Sequence, residues 1–443
     1  MKVTGIIAEY NPFHSGHHFH IEEAKRLTGA HWCVAVMSGD FVQRGEPAVY
    51  SKYLRTRMAL TCGADLVVEL PSAFAVSSAE DFAACGVALL TGLGAVDTLC
   101  FGSEDGDIQK IQTAAGLLAG EKGEFSSHLS RGLRQGLSWP QARNEALVAM
   151  AEDDPAFPLA RDEMNRLLGS PNNLLGIEYC KAILRQDSPL TPVTVRRTGL
   201  GYHDEGLTGG QASASAIRRV LKSDSPAPAD PSVSAGALVS TAPPAPAASP
   251  ALIPSAILPH IPAALLPLYG KEPPLGANDM SGLLNFRLLE MERMGQDFSL
   301  YADVSAEMAQ RLENHLLLYE DWEGRVGQLK TRQYTYTRIS RALLHMVLGL
   351  TDDRIREYRA AGRAPYARIL GFRRDSAQLL SLIKQKTSIP LVTKTADVRR
   401  VLTGTALDMC LQDIHASHIR QTVQAGKQGQ SLRNEYNQPL CIL

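Results

Sequence analysis

A chain of 443 residues is too long for one small core and predicts more than one folding unit. Its formal charge of −1, with 44% hydrophobic and 21% charged residues, excludes a polyelectrolyte, so any nucleic-acid surface has to be local. No stretch of about 18 uninterrupted apolar residues occurs, and the opening MKVTGIIAEY is too short an apolar run for a secretion signal, so neither a membrane span nor export is expected.

Taken in chain order, Lys2–Ala8, Trp32–Met37, Asp65–Leu70 and Val96–Phe101 are predicted strands, because β-branched residues cluster between turn signals. His18–Leu27, Lys52–Cys62 and Ser78–Leu90 are the predicted helices between them. This alternation predicts an α/β domain over residues 1–222, a Rossmann-like parallel sheet with ligands at the carboxyl ends of its strands. From Ser223 the composition turns to Ala, Pro and Ser, which predicts a linker or insertion over 223–278. Phe286–Met294, Ala306–Leu318, Arg338–Leu350 and Ser376–Lys386 then predict a mainly α-helical C-terminal domain over 279–443. Cys33, Cys62, Cys85, Cys100, Cys180, Cys410 and Cys441 form no C-x-x-C pair. That argues against a structural zinc site or a disulfide framework and predicts a reducing compartment, the cytoplasm. No metal-ligating set is expected.

The strongest local signal is Asn11-Pro12-Phe13-His14-Ser15-Gly16-His17, which follows the first strand and opens a helix. Its H-x-G-H core suits adenylyl transfer, in which charge gathers on the non-bridging oxygens of an α-phosphate. Imidazoles at i and i+3 of a first helical turn both face such a phosphate. The helix terminus adds N–H donors, and Gly16 permits close backbone approach. Further along, Ser213 and Ser215 offer hydroxyls and Arg218 a planar fork for phosphate oxygens. Gly102, at the end of the fourth strand, offers backbone on which an adenine or ribose packs. Arg44 and Lys52, after the second strand, are candidates to attract a carboxylate or to neutralise pyrophosphate. Asn172 and Asn173 either read nucleotide edges or form a turn and helix cap.

These residues carry a resemblance. The stretches EYNPFHSGH, VAVMSGDFVQRGEPAV, GADLVVELP, FGSE, SPNNLLGIEY, GYHD, SASAIR and TRQYTYTRISRALLH resemble the tRNA(Met) cytidine acetate ligase family, within the HxGH nucleotidyltransferase superfamily. The resemblance implies a two-step reaction: acetate and ATP give acetyl-adenylate, and the N4 amine of the wobble cytidine of elongator tRNA(Met) then takes the acetyl group. It implies an ATP loop of Ile7, Ala8, Glu9, Tyr10, Asn11, Pro12, Phe13, His14, Ser15, Gly16, His17, His18, Phe19 and His20. It also implies ATP contacts at Gly102, Asn173 and Arg197, with Arg196 beside them, while His14, His17, Arg44 and Lys52 are the expected catalytic groups. Mg2+ is expected with the ATP. Ser15 stands where the family usually has Asn, and Ser215 where it has Thr.

Residues 325–374 hold Arg325, Lys330, Arg332, Arg338, Arg341, Arg354, Arg356, Arg359, Arg363, Arg368, Arg373 and Arg374 against Asp352, Asp353 and Glu357. Twelve cations less three acids is +9 in a window of fifty residues, the footprint of a polyphosphate partner. Tyr334, Tyr336, Tyr358 and Tyr366 are interleaved and offer stacking faces for unpaired bases. The expected RNA contacts are Lys330, Arg332, Tyr334, Tyr336, Arg338 and Arg341. Two other readings stand beside the ligase: a small-molecule adenylyltransferase, and a non-catalytic RNA-binding factor.

Overall fold

The computed structural model describes residues 1–120, 123–137, 139–153, 159–197, 213–223 and 253–443. The strands are β1 (Val3–Ala8), β2 (Trp32–Ser38), β3 (Phe41–Val42), β4 (Glu46–Pro47), β5 (Leu66–Leu70), β6 (Thr98–Ser103), β7 (Thr191–Arg196), β8 (Ala367–Phe372), β9 (Leu391–Val392) and β10 (Cys441–Ile442). The four strands expected in the first 110 residues are present within two residues of their predicted bounds at each end, and the first two helices are α1 (Ser15–Thr28) and α2 (Lys52–Thr61).

The main sheet has the order β10-β8-β5-β2-β1-β6-β7, with β9 paired to β8. β1 runs parallel to both β2 and β6, so the chain leaves β1 toward one side of the sheet and returns on the other. The crevice at that reversal, outside the carboxyl ends of β1 and β6, is where such sheets hold ligands. Period-two alternation builds a core on each face. Val34, Val36, Leu66 and Val68 enter one cluster, whereas Cys33, Ala35, Met37 and Val67 enter the other.

The sheet is mixed rather than purely parallel. β8, from the stretch expected to be helical, lies antiparallel to β5, and β10 lies parallel to β8. The domain boundary expected at residue 279 is therefore no break in the sheet. The strand Ala367–Phe372 covers an edge that β5 would otherwise leave unpaired. Helices dominate the rest of that half, among them Ser281–Arg293, Tyr336–Leu348 and Gly404–Gln428.

Most of the expected linker, residues 224–252, lies outside the described residues. Residues 253–278 are packed structure rather than linker, because Ile257, Ile261, Leu265, Leu268 and Tyr269 are buried in the core beside α1 and α2. The Tyr269 hydroxyl donates to the Phe13 carbonyl, and Ser15 Oγ donates to the His260 carbonyl at 2.9 Å. This segment backs the loop between β1 and α1.

Candidate functional site

A cavity of about 440 Å3 opens at the crevice between β1 and β6. The turn from β1 into α1 supplies its most distinctive wall. His14 is the N-cap of α1: its Nδ1 accepts from Gly16 N–H at 3.0 Å, and His17 Nδ1 accepts from His14 N–H at 3.2 Å. The two rings therefore cap the helix reciprocally, a job more often given to a Ser and Glu pair. Their centroids stand 3.9 Å apart.

This arrangement fixes the chemistry of both rings. With each Nδ1 accepting a backbone N–H, a neutral ring carries its proton on Nε2 and is a donor there. Both rings are neutral. Burial, with Arg197, Arg218 and His260 nearby, lowers the His14 pKa to about 3. Burial, His14 and Arg197 push His17 well below its ordinary value. His20 is lowered to about 4 by burial and Arg197. No acidic side chain occupies the first turn of α1, so the positive end of its dipole is not offset locally.

The remaining wall comes from distant parts of the chain. Arg218, on the helix Ala214–Ser223, is 7% exposed and donates to the Asn11 carbonyl at 2.6 Å and to Ser215 Oγ at 3.0 Å. Arg196 and Arg197 leave the end of β7 beside Gly102, where an added Cβ would come within 3.3 Å of Arg197 Cγ. Arg44 reaches the cavity from the β3–β4 hairpin. Buried Arg55 ties the strand ends together, donating to the Glu9 carbonyl at 2.6 Å and the Ser38 carbonyl at 3.0 Å.

Of the expected ATP residues, Ile7, Ala8, Glu9, Tyr10, Asn11, His14, Gly16, His17, Phe19, His20, Gly102, Arg196, Arg197, Ser213, Ser215 and Arg218 line the cavity. Pro12, Phe13, Ser15, His18 and Asn173 do not. Phe13 is wholly buried behind the loop, and His18 faces Glu22 at 3.4 Å on the outer side of α1. Asn173 acts on the wall instead of forming it: its Oδ1 accepts from Glu104 N–H at 2.9 Å and Asp105 N–H at 3.1 Å. Its own N–H donates to Glu104 Oε2 at 2.9 Å, so the end of β6 is clamped to the start of the helix Pro171–Arg185. Gly210 to Ala212, and the GYHD stretch, lie outside the described residues.

Lys52 is not in the cavity. It is 0% exposed, with its ammonium 2.8 Å from Glu69, 2.5 Å from Glu435 and 2.8 Å from Ser417 Oγ. Arg368 joins the same carboxylates at 3.1 and 2.7 Å. An ammonium already satisfied by two buried acids has nothing left for an incoming carboxylate.

The +9 window is also less basic in space than along the chain. Arg341 pairs with Asp303 at 2.9 Å, Arg354 with Asp408 at 2.7 Å and Arg359 with Asp81 at 2.6 Å. Arg325 is spent on the His315 and Leu318 carbonyls at 2.8 and 2.6 Å. Among the tyrosines only Tyr336 is well exposed, at 44%; Tyr334, Tyr358 and Tyr366 are buried with their hydroxyls bonded to Ser305, Asp408 and Asp413. Lys330 and Arg332 remain exposed, and the Arg338 guanidinium sits 4.9 Å from the Tyr334 ring centre. The helix carrying Tyr336 and Arg338 packs on the Arg44 hairpin: Ser340 Oγ donates to the Gly45 carbonyl at 2.8 Å. Gly45, at φ +77°, is required there, because a Cβ would strike the Ser340–Arg341 backbone.

Composition and window charge missed three parts of the site: the apolar end formed by Phe82, Phe101, Leu174, Leu175 and Tyr179, the clamp at Asn173, and the backing by residues 253–278. Each needs a contact between segments far apart in the chain, for which a single sequence holds no local signal.

A family model described as HIGH Nucleotidyl Transferase matches residues 1–435. The chain is 38% identical over 397 residues to a tRNA(Met) cytidine acetate ligase of Acetivibrio thermocellus, covering 90% of this chain and 89% of that one. It is 35% identical over 394 residues to that of Clostridium novyi, covering 89% and 90%. The chain belongs to the tRNA(Met) cytidine acetate ligase family. Its fold is similar to the crystal structure of apo Thermotoga maritima TmcAL, with a TM-score of 0.87 at 27% identity and full coverage of both chains. The same protein bound with alpha-thio ATP gives a TM-score of 0.84 at 26% identity, again with full coverage of both chains. The family match over residues 1–435 spans every described residue that lines the cavity.

Proposed function

We propose that this protein condenses acetate with ATP to acetyl-adenylate and pyrophosphate, and transfers the acetyl group to N4 of the wobble cytidine of elongator tRNA(Met). The observation that carries the reading is the pair of neutral imidazoles at the mouth of α1, each with Nδ1 committed to the helix cap and Nε2–H left to donate. Two such donors, the helix N-terminus and Arg218 converge where an α-phosphate would gain charge under attack by a carboxylate. Arg44 attracts the acetate. The adenine lies toward Gly102, the end of β6 that Asn173 holds in place.

In this reading Mg2+ arrives with the triphosphate, and the phosphates and water carry it. The RNA lies along Lys330, Arg332, Tyr336 and Arg338, whose helix abuts the Arg44 hairpin and so borders the cavity. No helix among the described residues is long and apolar enough to cross a membrane, and a tRNA-modifying enzyme of this kind works in the cytoplasm.

Internal pairing of the basic stretch favours one alternative, a small-molecule adenylyltransferase. Acetate-dependent pyrophosphate release, followed by mass spectrometry of tRNA nucleosides after incubation with labelled acetate, separates the two. Labelled N4-acetylcytidine supports the ligase; release only with a phosphorylated metabolite supports the alternative. Replacing His17 with Ala removes one donor and should lower acetate-dependent ATP–pyrophosphate exchange by about 10²–10³-fold.

A further inference from the structure

Glu9 is the one carboxylate lining the cavity among the described residues. The other charged groups in that wall are Arg44, Arg196, Arg197 and Arg218. A carboxylate repels both the triphosphate and the acetate, so its place in this wall calls for a reason. Glu9 is nevertheless held there deliberately: Arg55 fixes its carbonyl at 2.6 Å, and Gln43 N–H donates to its Oε1 at 2.9 Å. Its Oε2 takes no hydrogen bond from any described residue.

The proposed reaction needs a base in only one of its halves. In the first, an acetate oxygen attacks the α-phosphorus and pyrophosphate leaves, and no proton is lost. In the second, an amine must lose one. The rings nearest the phosphates cannot take it, because His14 and His17 already accept at Nδ1 and carry hydrogen at Nε2. Tyr10 and Tyr179, the two phenols in the wall, are protonated, their pKa values raised by burial, and burial with Arg197 lowers the proton affinity of the third ring, His20.

We infer that Glu9 is the general base of the acetyl-transfer half, a role that rests on the ligase reading. The N4 lone pair of cytidine attacks the acetyl carbonyl carbon and forms the C–N bond. The bond from that carbon to the adenylate oxygen breaks, AMP leaves with the electron pair, and one N4 proton passes to Glu9 Oε2. Burial raises the proton affinity of Glu9; the Gln43 N–H, Arg218 and Arg44 oppose this, and Glu46 supports it. At the aromatic end of the cavity Tyr179 and Phe101 pack with centroids 5.6 Å apart. The Tyr179 hydroxyl is buried and has no hydrogen-bond partner among the described residues, and these faces suit a planar base.

The test separates the two halves with the full chain. Acetate-dependent ATP–pyrophosphate exchange reads the first, and single-turnover acetyl transfer to transcribed tRNA from pre-formed enzyme-bound adenylate reads the second. Glu9→Gln keeps an oxygen for the Gln43 N–H and should fold. Transfer should fall by about 10²–10⁴-fold, far more than exchange, and the rise of the transfer rate with pH should disappear. If exchange and transfer fall together, Glu9 serves the nucleotide or its metal ion and the inference fails; it fails equally if transfer persists. Should Glu9→Gln not melt cooperatively, Glu9→Asp takes its place: slower transfer with the pH rise retained is expected, and transfer at the wild-type rate overturns the role. A wild-type protein without acetate-dependent exchange overturns the ligase reading itself, a result distinct from a working wild type with an equally working Glu9→Gln.

Discussion

The mouth of the cavity and the stretch 325–374 are both crowded with cationic or basic side chains, yet the fold treats them differently. At the mouth, Arg44, Arg196, Arg197 and Arg218 line a cavity whose single lining acid among the described residues is Glu9, and Arg218 also has Glu46 at 3.7 Å. In 325–374, acids from remote segments meet the cations: Asp81, Asp303, Asp408, Glu69 and Glu435. A charge count over a window is thus a statement about sequence, and becomes one about surface only when the partners also lie in the window. Consecutive residues such as Asn11–His17 bring their own geometry, whereas a scatter of arginines takes its meaning from the rest of the chain.

The largest expected effect tests that contrast at Lys52, a residue that chain position places with the site and the fold places in the core. Lys52→Met leaves Glu69 and Glu435 with one counter-charge fewer in a dry setting. Removing one partner of such a buried pair costs about 3–5 kcal/mol. A thermal melt should therefore drop sharply, while exchange per folded molecule stays near wild type. An unchanged melt with lost exchange would return Lys52 to the chemistry.

Much of this molecule is legible from its residues because the relevant physics is local. The strand positions in the first 110 residues follow from β-branched runs, and α1 and its histidines follow from a motif that caps its own helix. β8 was not legible, since Ala367–Phe372 is a short, mostly apolar segment interrupted by Arg368 that a helix would accommodate equally; only the open edge of β5 decides. The packing of residues 253–278 was hidden behind the Ala/Pro-rich segment that precedes it. The position of Lys52 depends on Glu435, 383 residues away along the chain by subtraction of their numbers, and no spacing rule reaches that far.

The second effect is a pH dependence at the mouth. The His14 pKa in the folded state is about 3, below the ordinary 6.5 of the unfolded chain. Between these values the unfolded state binds the extra proton, so stability is full above about pH 6.5 and declines as pH falls toward 3. The slope approaches about 1.4 kcal/mol per pH unit for one such group. His14→Asn keeps a side-chain acceptor at the N-cap and cannot be protonated. The melting temperature of the variant should fall less than that of the wild type between pH 7 and pH 4.5. Equal falls would mean that His14 is charged in the folded protein, and a donor assigned to Nε2 alone would no longer describe it.

The smallest effect sharpens the other side of the comparison. Arg332 is exposed and without an ion pair among the described residues, whereas Arg341 is held by Asp303 at 2.9 Å and is only 13% exposed. If RNA runs along this helix end, Arg332→Gln removes a phosphate contact. The slope of log affinity against log salt then becomes shallower by about 0.7–0.9. Arg341→Gln should leave that slope where it was, since a guanidinium already neutralised releases no counterion from the nucleic acid. Titrating labelled tRNA at several salt concentrations measures both. The two residues differ by nine positions and by nothing in type, so a common slope change would mean that the ion pair with Asp303 opens on binding. The buried charge pairs of this stretch would then be a reserve for RNA instead of a part of the core.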